Sequence, residues 1–248
     1  MGIFQSFKSA SSFVLDQVIP PICLSCRIPV GGAASLCSTC WTSLSFVSEP
    51  SCQTCGLPFD LEDQASLYCG PCLKKTPPYS RMRSALVYDD TSRSMILGFK
   101  HGDQLEACPI FAKWLAATDP SLFNGIDILT AVPLHWQRLL KRRYNQSAML
   151  SNELARLTNL KSIPDLLTRA RNTQSQGHLT RIQRRANVRG AFSPNTRYKK
   201  LIEGKRILLI DDVLTTGATV EACCQRLNNA GASEVRVLTL ARAISTNS

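Results

Sequence analysis

The stretch Leu208-Leu209-Ile210-Asp211-Asp212-Val213-Leu214-Thr215-Thr216-Gly217-Ala218-Thr219-Val220 decides the fold of this chain. Apolar residues run into two carboxylates, two threonines and a glycine follow, and a helical pattern then begins. An apolar strand that delivers its carboxyl end to such a loop belongs in a parallel sheet, where ligands sit outside the strand ends. The chemistry suits a sugar phosphate. Asp211 and Asp212 can accept hydrogen bonds from ribose hydroxyls. The loop amides of residues 215–219, the threonine hydroxyls and the positive end of the following helix can hold a phosphate. Asp and Thr also serve ordinary helix caps, but a bare cap requires neither two acids nor three threonines.

Outward from that loop, strands and helices alternate. Residues 206–210 read as a buried strand, 218–229 as a helix with Gly231 at its carboxyl end, and 234–240 as a last strand. Upstream, 84–88 read as a strand, 91–100 and 105–117 as helices, 126–132 as a β-rich run closed by Pro133, and 146–157 as a helix. This alternation predicts an α/β domain over 84–248, built on a mainly parallel sheet with helices on both faces. Residues 76–83, opening on Thr76-Pro77-Pro78-Tyr79-Ser80, read as a linker.

Before the linker, cysteine takes over. Eight of the eleven cysteines form four Cys-x-x-Cys pairs: Cys23/Cys26, Cys37/Cys40, Cys52/Cys55 and Cys69/Cys72. One such turn brings two thiolates to one ion, and two turns complete a tetrahedral sulfur site of the kind that holds structural zinc. Residues 23–75 are therefore expected to be a small double zinc ribbon holding two zinc ions, with all eight cysteines as ligands. Few large apolar residues surround them, so the module would need metal to fold. Disulfides are the rival reading; they require an oxidising compartment, and no export signal is visible. Successive pairing leaves gaps of ten and thirteen residues and is favoured; crossed pairing, first with third and second with fourth, stays open. Cys108, Cys223 and Cys224 fall in helical patterns and read as buried packing residues.

The formal net charge is +11, and it is concentrated. Between Leu134 and Gly190 stand Arg138, Lys141, Arg142, Arg143, Arg156, Lys161, Arg169, Arg171, Arg181, Arg184, Arg185 and Arg189, opposed only by Glu153 and Asp165. A segment of this kind attracts polyanions, either a phosphorylated sugar or a nucleic acid backbone. The aromatics that could stack on bases there are few: Trp136, Tyr144 and Phe192. Residues 1–22 read as an amphipathic helix packing on the protein, because the apolar piece 13–15 is cut off by Asp16 and is too short for a signal-peptide core. Gly2 with Ser6 fits the myristoylation pattern only by its short form. No membrane span is expected, and the reading is a cytoplasmic protein. His101, His135 and His178 have neither zinc spacing nor a nucleophile partner.

The Asp-Asp-threonine loop resembles the signature of the type I phosphoribosyltransferases, which bind phosphoribosyl pyrophosphate. A narrower resemblance emerges when the chain is read in order: cysteine pairs, Phe99-Lys100, Val132-Pro133-Leu134, Asn145-Gln146 after an arginine-rich turn, Arg169-x-Arg171-x-Thr173-x-x-Gln176, Arg184-x-x-Asn187-Val188-Arg189-Gly190-Ala191-Phe192 and the acidic loop. This series resembles the ComF family of competence-associated, phosphoribosyltransferase-like proteins, which includes GntX-type DNA-utilisation proteins. It covers Cys23 to about Arg242. The family has glycine where this chain has Arg143, so a tight glycine turn is not expected there, and an added cation can face phosphate instead.

The resemblance implies a type I phosphoribosyltransferase-like fold and a division of labour at the site. Thr215, Thr216, Gly217, Ala218 and Thr219 would cradle the 5′-phosphate. Asp211 and Asp212 would hold the ribose hydroxyls and oppose charge developing on the ring as diphosphate departs. Arg138, Arg142 and Asn145 would face the diphosphate, with Lys100 beside them. Mg²⁺ would arrive on the ligand, mainly water-coordinated. Residues 171–185 would form a flap over the ligand. Two function classes fit: a protein that binds phosphoribosyl pyrophosphate and takes part in DNA uptake or utilisation, with single-stranded DNA and DNA-uptake proteins as partners, and an active phosphoribosyltransferase with an unidentified acceptor. Ligand binding comes first because no acceptor pocket is identifiable.

Overall fold

The computed structural model describes residues 21–59, 67–101, 104–171 and 180–244, apart from the side chains of Lys141, Arg181 and Ile182. The amino-terminal helix expected over 1–22 and the segment from Thr173 to Gln176 thus fall outside the described residues, save positions 21 and 22. In chain order come α1 (Ser38–Thr42), α2 (Gly70–Lys74), β1 (Arg81–Val87), α3 (Asp90–His101), α4 (Cys108–Thr118), β2 (Ile128–Ala131), α5 (Trp136–Arg142), α6 (Gln146–Thr158), β3 (Lys161–Ser162), β4 (Leu167–Arg169), α7 (Arg181–Val188), β5 (Phe192–Pro194), α8 (Lys199–Ile202), β6 (Arg206–Leu214), α9 (Ala218–Asn229) and β7 (Glu234–Arg242). Five strands form one sheet in the order β1-β7-β6-β2-β3. Every pairing in it is parallel. The antiparallel pair β4–β5 stands apart.

The central strand explains the two-layered cover. Along β6, Ile207 and Leu209 point to one face and Leu208 and Ile210 to the other, so an unbroken apolar run has to be buried on both sides. The first face packs against Val220, Cys223, Cys224 and Leu227 of α9. The second packs against Phe99 of α3, Phe111 and Leu115 of α4, and Leu150 and Leu154 of α6. Cys108, Cys223 and Cys224 are buried as expected, and burial pushes the Cys108 thiol up to about 12.

Three boundaries differ from the sequence reading. β6 does not stop at Ile210: Asp211, Val213 and Leu214 pair with Thr239, Ala241 and Arg242 of β7, so the acidic pair lies inside the strand. β7 likewise extends to Arg242. The expected linker also ends early, because residues 81–83 pair with Arg236, Val237 and Leu238 of β7. Partners distant in sequence extend these strands, and local pattern cannot register them. The amino-terminal module covers the outer edge of β1: Val47 donates its N–H to Ala85 O at 3.0 Å, and Val87 donates to Ser45 O at 2.8 Å. That removes an open sheet edge. The sequence reading missed α5, α7 and the β4–β5 pair, which lie within or just beyond the arginine-rich segment.

Candidate ribose-phosphate site and zinc centres

The cysteine pairs join successively, Cys23/Cys26 with Cys37/Cys40 and Cys52/Cys55 with Cys69/Cys72; within each group the sulfurs lie within 4.8 Å of one another. In each group the first pair sits in a tight turn, and the second opens a short helix, with Cys37 and Cys69 at the N-caps of α1 and α2. Sulfurs at 3.7 Å (Cys26–Cys37) and 3.5 Å (Cys55–Cys69) match the roughly 3.8 Å edge of a tetrahedron with ~2.3 Å zinc–sulfur bonds. All eleven cysteines are free, which removes the disulfide reading for these pairs. Backbone N–H groups turn inward to the sulfurs: Cys37 N–H to Cys23 Sγ at 3.4 Å, and Cys69 N–H to Cys52 Sγ at 3.3 Å. Burial raises Cys52, but N–H donation from Cys55, Cys69 and Thr54 outweighs it and brings the thiol down to about 7, whereas burial pushes Cys55 up to about 11.

The second candidate centre sits at the carboxyl ends of the parallel strands. Alternation in β6 sends Asp211 and Asp212 to opposite sides. Asp211 is buried on the α9 face, near Cys223, and Ser147 Oγ, from the first turn of α6, reaches it at the strand end and donates to its carboxylate at 3.2 Å. Asp212 turns toward α3 and pairs with Lys100 Nζ at 2.9 Å. Burial, and then the neighbouring Asp212, push the Asp211 carboxyl up to about 7. Beyond them Gly217, at φ +77°, starts α9 with no side-chain cap. A side chain there would be strained by the backbone conformation rather than by crowding, since a Cβ would meet only Glu221 Oε1 at 3.5 Å. Thr215 Oγ1 accepts from Arg184 at 2.8 Å. The Thr216 hydroxyl is buried with no hydrogen-bond partner, a deficit that a ligand oxygen would fill. Ala218 is buried beneath the loop, and Thr219 occupies the first turn of α9.

The motif residues around Asn145 work chiefly as a clamp. Asn145 caps α6, accepting from Ser147 N–H at 3.1 Å while donating to Val132 O at 3.1 Å. Tyr144 Oη donates to Phe99 O at 2.9 Å, and Gln146 Nε2 donates to Lys100 O at 3.2 Å. These bonds hold the end of α3, and hence Lys100, against the end of β2. Arg142 donates to Gln146 Oε1 at 3.4 Å. Arg143 caps α5 at φ +67°, so the chain makes a left-handed turn at this position, and makes it with arginine. His135 caps the other end of α5.

Sequence reasoning did not place Arg169 among the site residues, and it placed Arg184 there only as part of the expected flap. Arg169 is buried at the end of β4, with its guanidinium over the Phe192 ring at 5.2 Å. Burial, and then the proximity of Arg138, lower it to about 10, while Asp211 acts in the opposite sense. Burial and then Arg142 also lower Arg138. The sheet edge thus gathers two carboxylates and a cluster of cations, several of them half-buried. The only signal for Arg169 in the sequence was its place in the Arg-x-Arg motif. Of the expected flap, Arg171 donates to Asn187 O at 3.0 Å and α7 is described, while 172–179 lie outside the described residues.

Comparison with known proteins matches both halves. Residues 14–73 match the double zinc ribbon domain, and residues 145–248 match the phosphoribosyl transferase domain. The "DNA utilization protein YhgH" of Escherichia coli K12 is 30% identical over 232 residues, covering 91% of this chain and 99% of that protein. "Competence protein F" of Haemophilus influenzae is 31% identical over 227 residues, covering 89% and 96%. "Competence protein ComFC" of Streptococcus pneumoniae is 26% identical over 210 residues, covering 84% and 87%.

Proposed function

This chain belongs to the ComF family of competence protein F and the DNA utilization protein YhgH, and on that premise we propose that it binds phosphoribosyl pyrophosphate with Mg²⁺ and takes part in the uptake or utilisation of DNA in the cytoplasm. The observation that carries the reading is the incomplete loop: an uncapped helix start and a buried Thr216 hydroxyl without a partner, set beside two carboxylates. In this reading residues 215–219 hold the 5′-phosphate, Asp211 and Asp212 accept from the ribose hydroxyls, and Lys100 keeps Asp212 oriented. Arg138 and Arg142 face the diphosphate, and Asn145 acts by holding the strand end beneath them. The carboxylate pair fits a cation nearby, since burial and then the neighbouring Asp212 hold Asp211 well above its ordinary range despite Lys100. Mg²⁺ would neutralise diphosphate oxygens, with Asp211 and Asp212 reaching it through water.

Titration calorimetry with phosphoribosyl pyrophosphate and Mg²⁺ tests this. The expected result is saturable binding, weakened about tenfold or more when Asp211 and Asp212 are both changed to Asn. Absence of binding, or equal affinity in the double variant, sinks the assignment. The role in DNA rests on the names of the relatives and on the basic segment 134–190. It requires single-stranded oligonucleotide affinity that falls steeply with added salt. The alternative, active phosphoribosyl transfer, is favoured by one feature: a carboxyl poised at about 7 suits a proton acceptor. Release of diphosphate on adding nucleobases or amines would establish it.

A further inference from the structure

A cleft of about 780 Å³ runs from the Thr215–Gly217 loop along α9 to the second zinc ribbon. Its size is that of a ligand site rather than a packing defect. Lys74, Lys75, Arg185 and Arg242 line it, against one carboxylate, Glu221, which already pairs with Arg185 at 3.4 Å, and the zinc-ligand cysteines Cys55, Cys69 and Cys72. Arg242 is the unusual member. It is 6% exposed at the end of β7, yet among the described residues no carboxylate pairs with it. Its Nη1 donates to Cys55 O at 2.7 Å, and its Nε has no partner. The tetrathiolate centre beside Cys55 offsets the Arg242 charge when zinc is bound, but its Nε is a buried donor left unsatisfied, a deficit that a ligand oxygen would fill. The second unpartnered group of the cleft, Thr216 Oγ1, lies at the loop end. The cleft therefore continues the phosphate loop as a cationic channel, with buried donors toward both ends.

We propose that this cleft is a second anion subsite, taking a ligand whose loop-bound phosphate is linked onward to a second phosphate, as a phosphoanhydride or a phosphodiester. The inference rests on the phosphate-loop reading and goes beyond it, because a ligand ending at a 5′-phosphate would leave the cleft unused. With ribose hydroxyls at the acidic pair and the 5′-phosphate in the loop, the ligand is either a ribose carrying a 5′-diphosphate or the 3′-terminal nucleotide of a strand. In the second case the 3′-hydroxyl is free and the preceding residue lies beneath the zinc ribbon.

The test uses the zinc-loaded full chain at fixed ionic strength and four probes: ribose 5-phosphate, ADP-ribose, a short oligoribonucleotide with a free 3′ end, and the same oligonucleotide closed by a 3′-phosphate. Exchanging the two exposed lysines (Lys74→Gln with Lys75→Gln) is expected to weaken ADP-ribose or the free-ended strand about tenfold, and ribose 5-phosphate less than about twofold. A response from ADP-ribose alone assigns the anhydride; a response from the free-ended strand, lost with the 3′-phosphate, assigns the strand end. Equal weakening of all probes, or none, overturns the subsite. Arg242→Gln is expected to repeat the selectivity with two zinc ions retained. If it releases zinc and the lysine variant shows no selectivity, Arg242 merely balances the thiolate charge and the proposal fails. Inorganic diphosphate separates the two readings: a wild type that ignores ribose 5-phosphate refutes the loop, whereas diphosphate binding lost in the lysine variant upholds the cleft.

Discussion

The second zinc ribbon and the Asp211–Asp212 edge are both buried clusters of ionisable groups, yet one is complete within the chain and the other is not. Around Cys52, Cys55, Cys69 and Cys72 the four sulfurs converge, N–H groups support them, and Arg83 and Arg242 bond the carbonyls of Cys52 and Cys55. Cys52, Cys55 and Cys69 also belong to the apolar cluster on one face of the sheet, so this metal centre is part of the core. At the acidic edge Lys100 pairs with Asp212 and Ser147 donates to Asp211, yet the arrangement stays incomplete. Asp211 is held far above its ordinary range, Thr216 lacks a partner, and Arg143 sits in a left-handed turn. A closed arrangement of this kind stabilises a fold, and an open one waits for a ligand at some loss of stability.

The largest effect should come from opening the closed centre. Cys55→Ser is expected to leave one tightly held zinc per chain and to destabilise the whole protein by roughly 4 kcal/mol or more, read by metal analysis and thermal unfolding. The first ribbon supplies the control: its Cys26 is exposed and Cys37 and Cys40 only half-buried, so Cys26→Ser should lose its zinc while the sheet unfolds within a few degrees of the wild type. If the two variants unfold alike, the contrast between the ribbons is wrong.

Closing the open centre should do the reverse. Asp211 has a folded value of about 7, above the ~3.9 of an unfolded chain. Below about pH 4 the group is protonated in both states and makes no difference. Between those values the folded protein retains a proton that the unfolded chain has lost, so its contribution to stability declines as pH rises, and the loss is complete above about 7. Asp211→Asn is therefore expected to stabilise the free protein by up to about 4 kcal/mol near pH 8, with a gain that shrinks toward zero near pH 4. A gain independent of pH would break the argument. Thr216→Val should add about 1 kcal/mol by removing an unsatisfied buried hydroxyl, while weakening phosphoribosyl pyrophosphate. Smallest of all, Arg143→Gly should raise stability by about 1 kcal/mol or less, because glycine takes the left-handed turn without strain; no gain in denaturant titration would show that another contact of Arg143 offsets it.

Much of both centres could be read from local spacing. Four Cys-x-x-Cys turns specify tetrahedral sulfur sites wherever they fall, and the acidic-threonine run specifies a strand, a loop and a helix start within thirteen residues. What escaped was whatever depends on distant partners. Asn145 looked like a ligand residue, but its side chain bridges Val132 and Ser147. Arg169 looked like one cation of many, but β5 covers it with Phe192. The acidic pair looked like the end of a strand until β7 paired beyond it.

The sequence by itself determined the kinds of chemistry: two tetrathiolate zinc centres, a phosphate loop at the end of a parallel strand, and an excess of cations near it. Only the tertiary structure decided which centre is buried in the core, which carboxylate faces Lys100, and which buried arginine keeps an unpartnered donor. The reason is physical. Donor types and short spacings are local properties, whereas burial and charge neighbours are set by contacts such as Arg242 with Cys55, 187 positions apart, and these exist only once the sheet and the second ribbon have packed together.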